Sequence, residues 1–247
     1  MKLGSNAVLI TGGASGIGLG LAARFLKAGS DVLVCGRRED KLREAREKYP
    51  ALHTHACDVS TERGRAALAD WVIREFPALN ILVNNAGIQL RSSLTEPAEW
   101  ERSHGEIAIN LEAPIHLSML FAPHLRRQEH AAIINVSSGL SFAPMARVPV
   151  YCATKAALHS FTMSLRHQLS GTTVKVIEII PPAVDTDLGG PGLHKFGVPV
   201  DEFLDAIFPR LAAGEEEVAF GFAEQSSKAT RAELDAMSAR LNQTSSG

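Results

Sequence analysis

The chain has 247 residues, 45% of them hydrophobic and 21% charged, with a formal net charge of −2. That length fits one α/β domain with a full core, and the near-neutral charge offers no basic field to nucleic acid or an anionic membrane. No apolar run approaches the roughly 20 residues of a spanning helix, and the start lacks the pattern of a signal peptide, so a cytoplasmic protein is expected.

Apolar, β-branched runs alternate with longer amphipathic stretches. Strands are predicted at 7–11, 31–35, 52–57, 81–84, 132–136, 174–180 and 218–222, with apolar runs suited to burial on both faces. Helices are predicted between them at 17–28, stopped by Gly29, and at 39–48, which is charged and surface-like. A third, 61–76, opens on a Thr61 cap and ends at Pro77; longer ones follow at 98–127 and at 151–169, the latter closed by Gly171. Such alternation implies right-handed crossovers and a doubly wound parallel sheet of the Rossmann type. A final helix at 229–241 carries Leu234, Met237 and Leu241 at helical spacing and is expected to cover a sheet edge or a neighbouring subunit. Residues 242–247 are expected to be disordered. There is no internal repeat, so the whole chain reads as a single domain with a substrate-lid region at about 188–213 and a C-terminal helix and tail at about 224–247.

The motifs follow in chain order. The first strand runs into Thr11-Gly12-Gly13-Ala14-Ser15-Gly16-Ile17-Gly18. Glycines between a strand and a helix let the backbone approach a pyrophosphate, and the helix directs its free N–H groups at the phosphates. The second strand is followed by Gly36, Arg37 and Arg38, where an NAD site usually places an acid. Gly36 makes room there, and Arg37 is placed to grip a 2′-phosphate, so NADP(H) is the preferred cofactor. Ser15 stands where many NADP enzymes carry a second basic residue. Asp58 and Val59 lie where an adenine ring would rest, although a solvated loop Asp is the alternative. Asn84-Asn85-Ala86-Gly87 ends the fourth strand, where open parallel sheets bind ligands.

Tyr151 and Lys155 are four residues apart on one helix face. A neighbouring ammonium and an oxidised nicotinamide ring favour phenolate, bringing the tyrosine within reach of acid–base work at neutral pH. Ser138, at the end of the fifth strand, can polarise a carbonyl oxygen. Asn110 is expected to hold a water near Lys155 through its side chain or a helix distortion. Phe142, Pro144, Met145 and Val148 are either an apolar pocket wall or core. Cys152 is a reactive thiol or, more simply, a packed cysteine. Cys35, Cys57 and Cys152 form no metal or disulfide pattern, and His53, His55, His116, His124, His159 and His167 have surface or packing roles, so no metal site is expected. His194, in the Gly-rich loop 189–197, is a candidate substrate contact.

The Thr-Gly-x-x-x-Gly-x-Gly loop, Asn-Asn-Ala-Gly, Asn110, Ser138 and Tyr-x-x-x-Lys resemble the short-chain dehydrogenase/reductase family over residues 5–222. The resemblance implies a seven-stranded parallel sheet of order 3-2-1-4-5-6-7. It implies that Tyr151 transfers the proton, Ser138 orients the substrate, Lys155 binds ribose and lowers the tyrosine pKa, and Asn110 completes a water-linked relay. Thr11, Gly12, Ser15, Ile17, Asp58, Val59, Asn85, Gly87, Val184 and Thr186 would line the cofactor, with Gly16, Gly18, Ala86 and Pro181 beside them. The stretch from Ile179 to Gly190 resembles a bacterial subgroup named for the D-alanylation of teichoic acids. Most of the wider family has Pro-Gly where this chain has Pro181-Pro182; Pro182 removes an N–H and stiffens that turn.

The resemblance further implies helices at 111–127 and 151–169 paired across a two-fold axis, giving a homodimer or homotetramer. Leu117, Leu120, Phe121 and Leu125 on the first, and Leu158, Phe161, Leu165 and Leu169 on the second, are candidates for the contact. The expected activity is hydride transfer between NADPH and a small carbonyl or alcohol substrate, as a ketone or aldehyde reductase. A non-catalytic NADP-binding regulator or an interaction protein on the same fold is the alternative, against which the intact Ser/Tyr/Lys/Asn set argues.

Overall fold

Seven aliphatic runs form β1 (Ala7–Thr11), β2 (Asp31–Gly36), β3 (His53–Ala56), β4 (Leu79–Asn84), β5 (Ala131–Val136), β6 (Val174–Ile180) and β7 (Glu217–Ala219). In a computed structural model, which describes residues 1–93, 95, 97 and 100–243, they pair in parallel in the order β3-β2-β1-β4-β5-β6-β7. Alternate residues serve opposite faces. Val8 and Ile10, Val32 and Val34, and Ile81 and Val83 enter one core, while Leu9, Leu33 and Leu82 enter the other. Burial on both faces explains why these strands read as continuous apolar runs.

The first core is covered by α1 (Gly16–Lys27), α2 (Glu39–Lys48) and α7 (Val200–Ala213), the second by α3 (Glu62–Glu75), α5 (Ala113–Leu125) and α6 (Pro149–Leu169). Thr61 caps α3 by accepting from the Gly64 N–H at 3.0 Å. The helical region expected as one piece is broken. α4 (Trp100–Ile107) passes through a π turn at Ala108–Glu112 before α5 begins. Pro114 at the start of α5 brings no N–H of its own, so the ladder restarts there. The expected first residues, 98 and 99, lie outside the described residues.

Several expectations need correction. β7 stops at Ala219 rather than 222, because Gly221 has φ +58° and turns the chain into α8 (Phe222–Ser227). Of the lid region, 200–213 is a core helix: Phe203, Leu204, Ile207 and Leu211 are all fully buried. The segment before Pro199 borders the cleft, together with Val200 and Asp201 at the start of the helix. α9 (Arg231–Gln243) buries no residue within the chain, so its apolar spacing does not mark a covered sheet edge. It is held through Ser238 and Asn242 to the Pro144–Ala146 loop, with the Asn242 Oδ1 accepting from the Ala146 N–H at 2.6 Å. Its last residues, 242 and 243, are helical rather than disordered, and 244–247 fall outside the described residues. Leu117, Phe121, Leu125, Leu158, Leu165 and Leu169 all face the chain's own core. Their apolar spacing reflected sheet packing. The exposed large hydrophobic side chains on these two helices are Met119 and Met163, at 66% and 40%.

Candidate active site

The C-terminal ends of β1, β4, β5 and β6 open onto one cleft with a volume of about 1260 Å³. Along it lie the glycine loop, Arg37 and Arg38, Asp58 and Val59, Asn85 to Gly87, Ser138, Tyr151, Lys155 and Pro181 to Thr186.

At the cofactor end, Thr11 stitches two strand ends together. Its hydroxyl oxygen accepts from the N–H groups of Asn85 and Ala86, both at 3.0 Å. The Asn85 amide donates back to the carbonyls of Thr11 and Gly12 at 2.9 and 3.2 Å. This cross-tie leaves no space for side chains beneath it. A Cβ on Gly12 would sit 2.8 Å from the Ala86 Cα, and one on Gly18 would meet the Asn85 Nδ2 at 2.5 Å. α1 starts on the loop at Gly16 and aims its first N–H groups into the cleft's rim. Thr186, from the segment after β6, closes over the same loop, with its methyl 3.1 Å from where a Cβ on Gly16 would lie. These residues fit a dinucleotide: a backbone-lined cradle at a helix N-terminus is the chemistry a pyrophosphate needs.

Beyond Gly36 the cleft is open; a Cβ there would meet nothing within 4 Å. Arg37 and Arg38 flank that space. The Arg38 Nη2 reaches across to the Ser15 hydroxyl at 3.1 Å, a contact the sequence reading did not anticipate. Asp58 accepts from the Ser60 N–H at 2.9 Å. Burial opposes its ionisation, but the Ser60 hydrogen bonds and the Arg37 charge prevail, and it stays below the usual carboxylate range.

At the other end of the set, Tyr151, Lys155, Ser138 and Asn110 converge, all of them buried. The Ser138 oxygen accepts from the Leu140 N–H at 3.1 Å and its hydroxyl hydrogen-bonds the Tyr151 phenol. The Lys155 Nζ lies 5.7 Å from the Tyr151 ring centroid and donates to the Val136 carbonyl at 2.8 Å. Burial pushes the phenol above its ordinary value, and the Ser138 hydrogen bond only partly offsets this. The expected lowering by Lys155 is therefore not the dominant effect in the protein alone; the phenol is protonated at neutral pH. Burial also pushes the Lys155 ammonium down to about 8, against the opposing charges of Glu178 and Glu106.

Glu178 and Glu106 are buried acids that the sequence reading missed. Glu178 is paired with His159 at 2.8 Å, and the Glu106 Oε1 accepts from the Leu90 N–H at 3.0 Å. Asn110 lies in the π turn, the helix distortion that is one of its two expected routes to a water, and its side chain is engaged elsewhere. Its Oδ1 accepts from the Ile88 N–H at 2.9 Å, while its Nδ2 donates to the Ile88 carbonyl at 2.8 Å and to the Thr154 hydroxyl at 3.3 Å. Both amide protons are thus spent on holding the loop after β4 against α6. Cys152 is packed rather than reactive: burial raises its thiol, which accepts from the Met145 N–H at 3.3 Å. The Pro181 carbonyl accepts from the Gly139 N–H at 2.9 Å, so Pro182 leaves the tie between these two loops intact.

A dinucleotide cradle continuous with a buried Ser, Tyr and Lys defines a class of nicotinamide-dependent oxidoreductases, and comparison agrees. Residues 6–194 match the short chain dehydrogenase family, and the chain belongs to it. It is 47% identical, over 98% of both chains, to the Bacillus subtilis protein described as uncharacterized oxidoreductase DltE. Among solved structures, it resembles a Burkholderia cenocepacia short chain dehydrogenase in complex with NADP, with a TM-score of 0.84 at 26% identity over 98% of this chain and 99% of that one. A Burkholderia phymatum short chain dehydrogenase/reductase in complex with NAD shares the fold, with a TM-score of 0.80 at 21% identity over 89% and 90%.

Proposed function

We propose that this protein is an NADP(H)-dependent reductase of ketones or aldehydes. The observation that carries the reading is the protonated, buried Tyr151 phenol, hydrogen-bonded to Ser138 and beside Lys155, at the end of a dinucleotide cradle. The reduced nicotinamide supplies the hydride when bound. The chain's own residues do the rest. Backbone N–H groups of Ser15 to Gly18 hold the pyrophosphate, and Arg37 with Arg38 holds the 2′-phosphate in the space beside Gly36. Asp58 and Val59 flank the adenine, and Asn85, Ala86, Gly87 and Lys155 flank the nicotinamide ribose. Pro181, Val184 and Thr186 support the ring. Ser138 orients the substrate oxygen, and Tyr151 gives it a proton as the alcohol forms. With its amide protons committed to Ile88 and Thr154, Asn110 leaves any water relay to the backbone of its π turn. Met119 and Met163 offer an apolar surface for a homodimer through α5 and α6. A panel of aldehydes and ketones, with loss of NADPH absorbance as the readout, tests the reading. Turnover of at least one compound, faster with NADPH than with NADH, is expected; cofactor binding with no turnover across the panel contradicts it.

A further inference from the structure

Beyond Tyr151 the cleft changes character twice. Next to the phenol it is apolar, walled by Leu140, Met145, Val148 and Leu188. Farther out two arginines from distant parts of the chain meet. Arg91 lies in the loop after β4 and Arg147 in the loop before α6, and the Ser92 N–H donates to the Arg147 carbonyl at 3.2 Å, which stitches the two loops together. Both side chains line the cleft. Both also act on His194, which reaches the same place from the loop after β6. Burial lowers its pKa, a hydrogen bond to the Leu188 backbone opposes this, and the charges of Arg147 and Arg91 add to the lowering.

Elsewhere Arg24, Arg166 and Arg210 each face carboxylates within 3.5 Å. Among the described residues neither Arg91 nor Arg147 does. Arg147 is half-buried, and its Nε donates to the Met145 Sδ at 2.9 Å, a weak acceptor for a guanidinium. The His194 Nδ1 is buried without a hydrogen-bond partner. Acids near the patch do not neutralise it. Asp185 acts on His194 less than either arginine does, Asp187 is exposed, and burial raises the pKa of Glu106, whose Oε1 accepts from Leu90. A guanidinium half out of water with no carboxylate to meet is a site for an anion.

We infer that the cleft selects carbonyl substrates that carry an anionic group at the far end of a short apolar chain, with Arg147 and Arg91 binding the anion and His194 offering a further hydrogen bond. This rests on the reductase reading and names its substrate class. The carbonyl sits at Tyr151, the chain crosses the apolar wall, and the charge stops at the arginines. A carboxylate and a phosphate share this chemistry, so the test includes both.

The experiment compares kcat/KM for 4-oxopentanoate and 5-oxohexanoate with their methyl esters, and for dihydroxyacetone phosphate with dihydroxyacetone. The acids or the phosphate should be favoured by about tenfold or more, the contribution of one charge-assisted hydrogen bond. Arg147→Gln and Arg91→Gln should each shrink that ratio, with Arg147→Lys restoring part of it. NADPH affinity in each variant checks that the cleft is intact. In parallel, the same acids and esters are titrated calorimetrically into the complex with NADP+. Equal use of the charged and neutral members of both pairs by the wild type, or a ratio that survives both glutamine variants, overturns the inference. If nothing is turned over but the anions still bind more tightly than their neutral counterparts, and only with Arg147 present, the anion site stands and the reductase reading falls. No turnover and no such difference in binding overturns the site itself.

Discussion

Cofactor choice should reside in Arg37 and Arg38. β2 ends at Gly36 with no carboxylate to take the ribose hydroxyls, and the space beside it is open for at least 4 Å around a Cβ position. Both arginines are exposed, so each charge-assisted hydrogen bond to a 2′-phosphate belongs at the lower end of its range, about 1.5 kcal/mol. That is roughly tenfold in affinity for each residue. Arg38 is already held toward the glycine loop by Ser15, so it loses less side-chain freedom on binding than a free surface arginine. Arg37→Ala and Arg38→Ala should each weaken NADPH by about tenfold, and together by about a hundredfold, while NADH changes by less than about threefold. Gly36→Asp, for which the space exists, should raise NADH affinity and lower that for NADPH. Fluorescence titration of both cofactors at two salt concentrations decides it, because only the phosphate-dependent part should weaken with salt. Equal losses for NADPH and NADH in the double variant would refute the 2′-phosphate role.

Other consequences can be measured directly. Asn110→Ala removes both partners of the Ile88 backbone and should cost roughly 2–4 kcal/mol in urea unfolding; a loss below about 0.5 kcal/mol would show that the clamp contributes little. Lys155, at about 8 in the fold against 10.5 for a free lysine, binds a proton less readily folded than unfolded. Its contribution to stability is therefore fully present above pH 10.5 and is lost as pH falls through 8. Wild-type stability relative to Lys155→Met should rise by on the order of 3 kcal/mol across that window, and parallel pH curves would contradict the assignment. Light scattering should give the mass of a dimer or tetramer for the wild type and a smaller mass for Met119→Glu/Met163→Glu; a wild-type mass near one chain would remove the proposed interface.

The sequence was most legible where local rules and tertiary context agree. β1 and β6 match their predicted bounds because each is an unbroken run buried on both faces. The glycine loop was readable because its residues touch neighbours close in sequence or at a known strand end. α7 was not predicted although Phe203, Leu204, Ile207 and Leu211 have helical spacing; Pro209 and the preceding Gly-rich loop hid it. The π turn at Asn110 leaves no trace in a pattern with a period near 3.6. Most of the candidate contact leucines pack on the parent sheet, because a hydrophobic stripe facing the sheet has the same helical spacing as one facing a partner. Glu106 and Glu178 look like surface acids until the fold buries them. The meeting of Arg91, Arg147 and His194 joins three loops separated by more than forty residues each, and only the folded chain brings them together.

The central claim is that Tyr151 supplies the proton for carbonyl reduction. It is tested most directly by Tyr151→Phe, which keeps the ring in its buried seat while removing the hydroxyl that Ser138 holds. With the best substrate from the panel, the variant should bind NADPH as the wild type does while kcat falls by about a hundredfold or more, the usual loss for acid–base catalysis. Near-normal turnover by Tyr151→Phe would contradict the account.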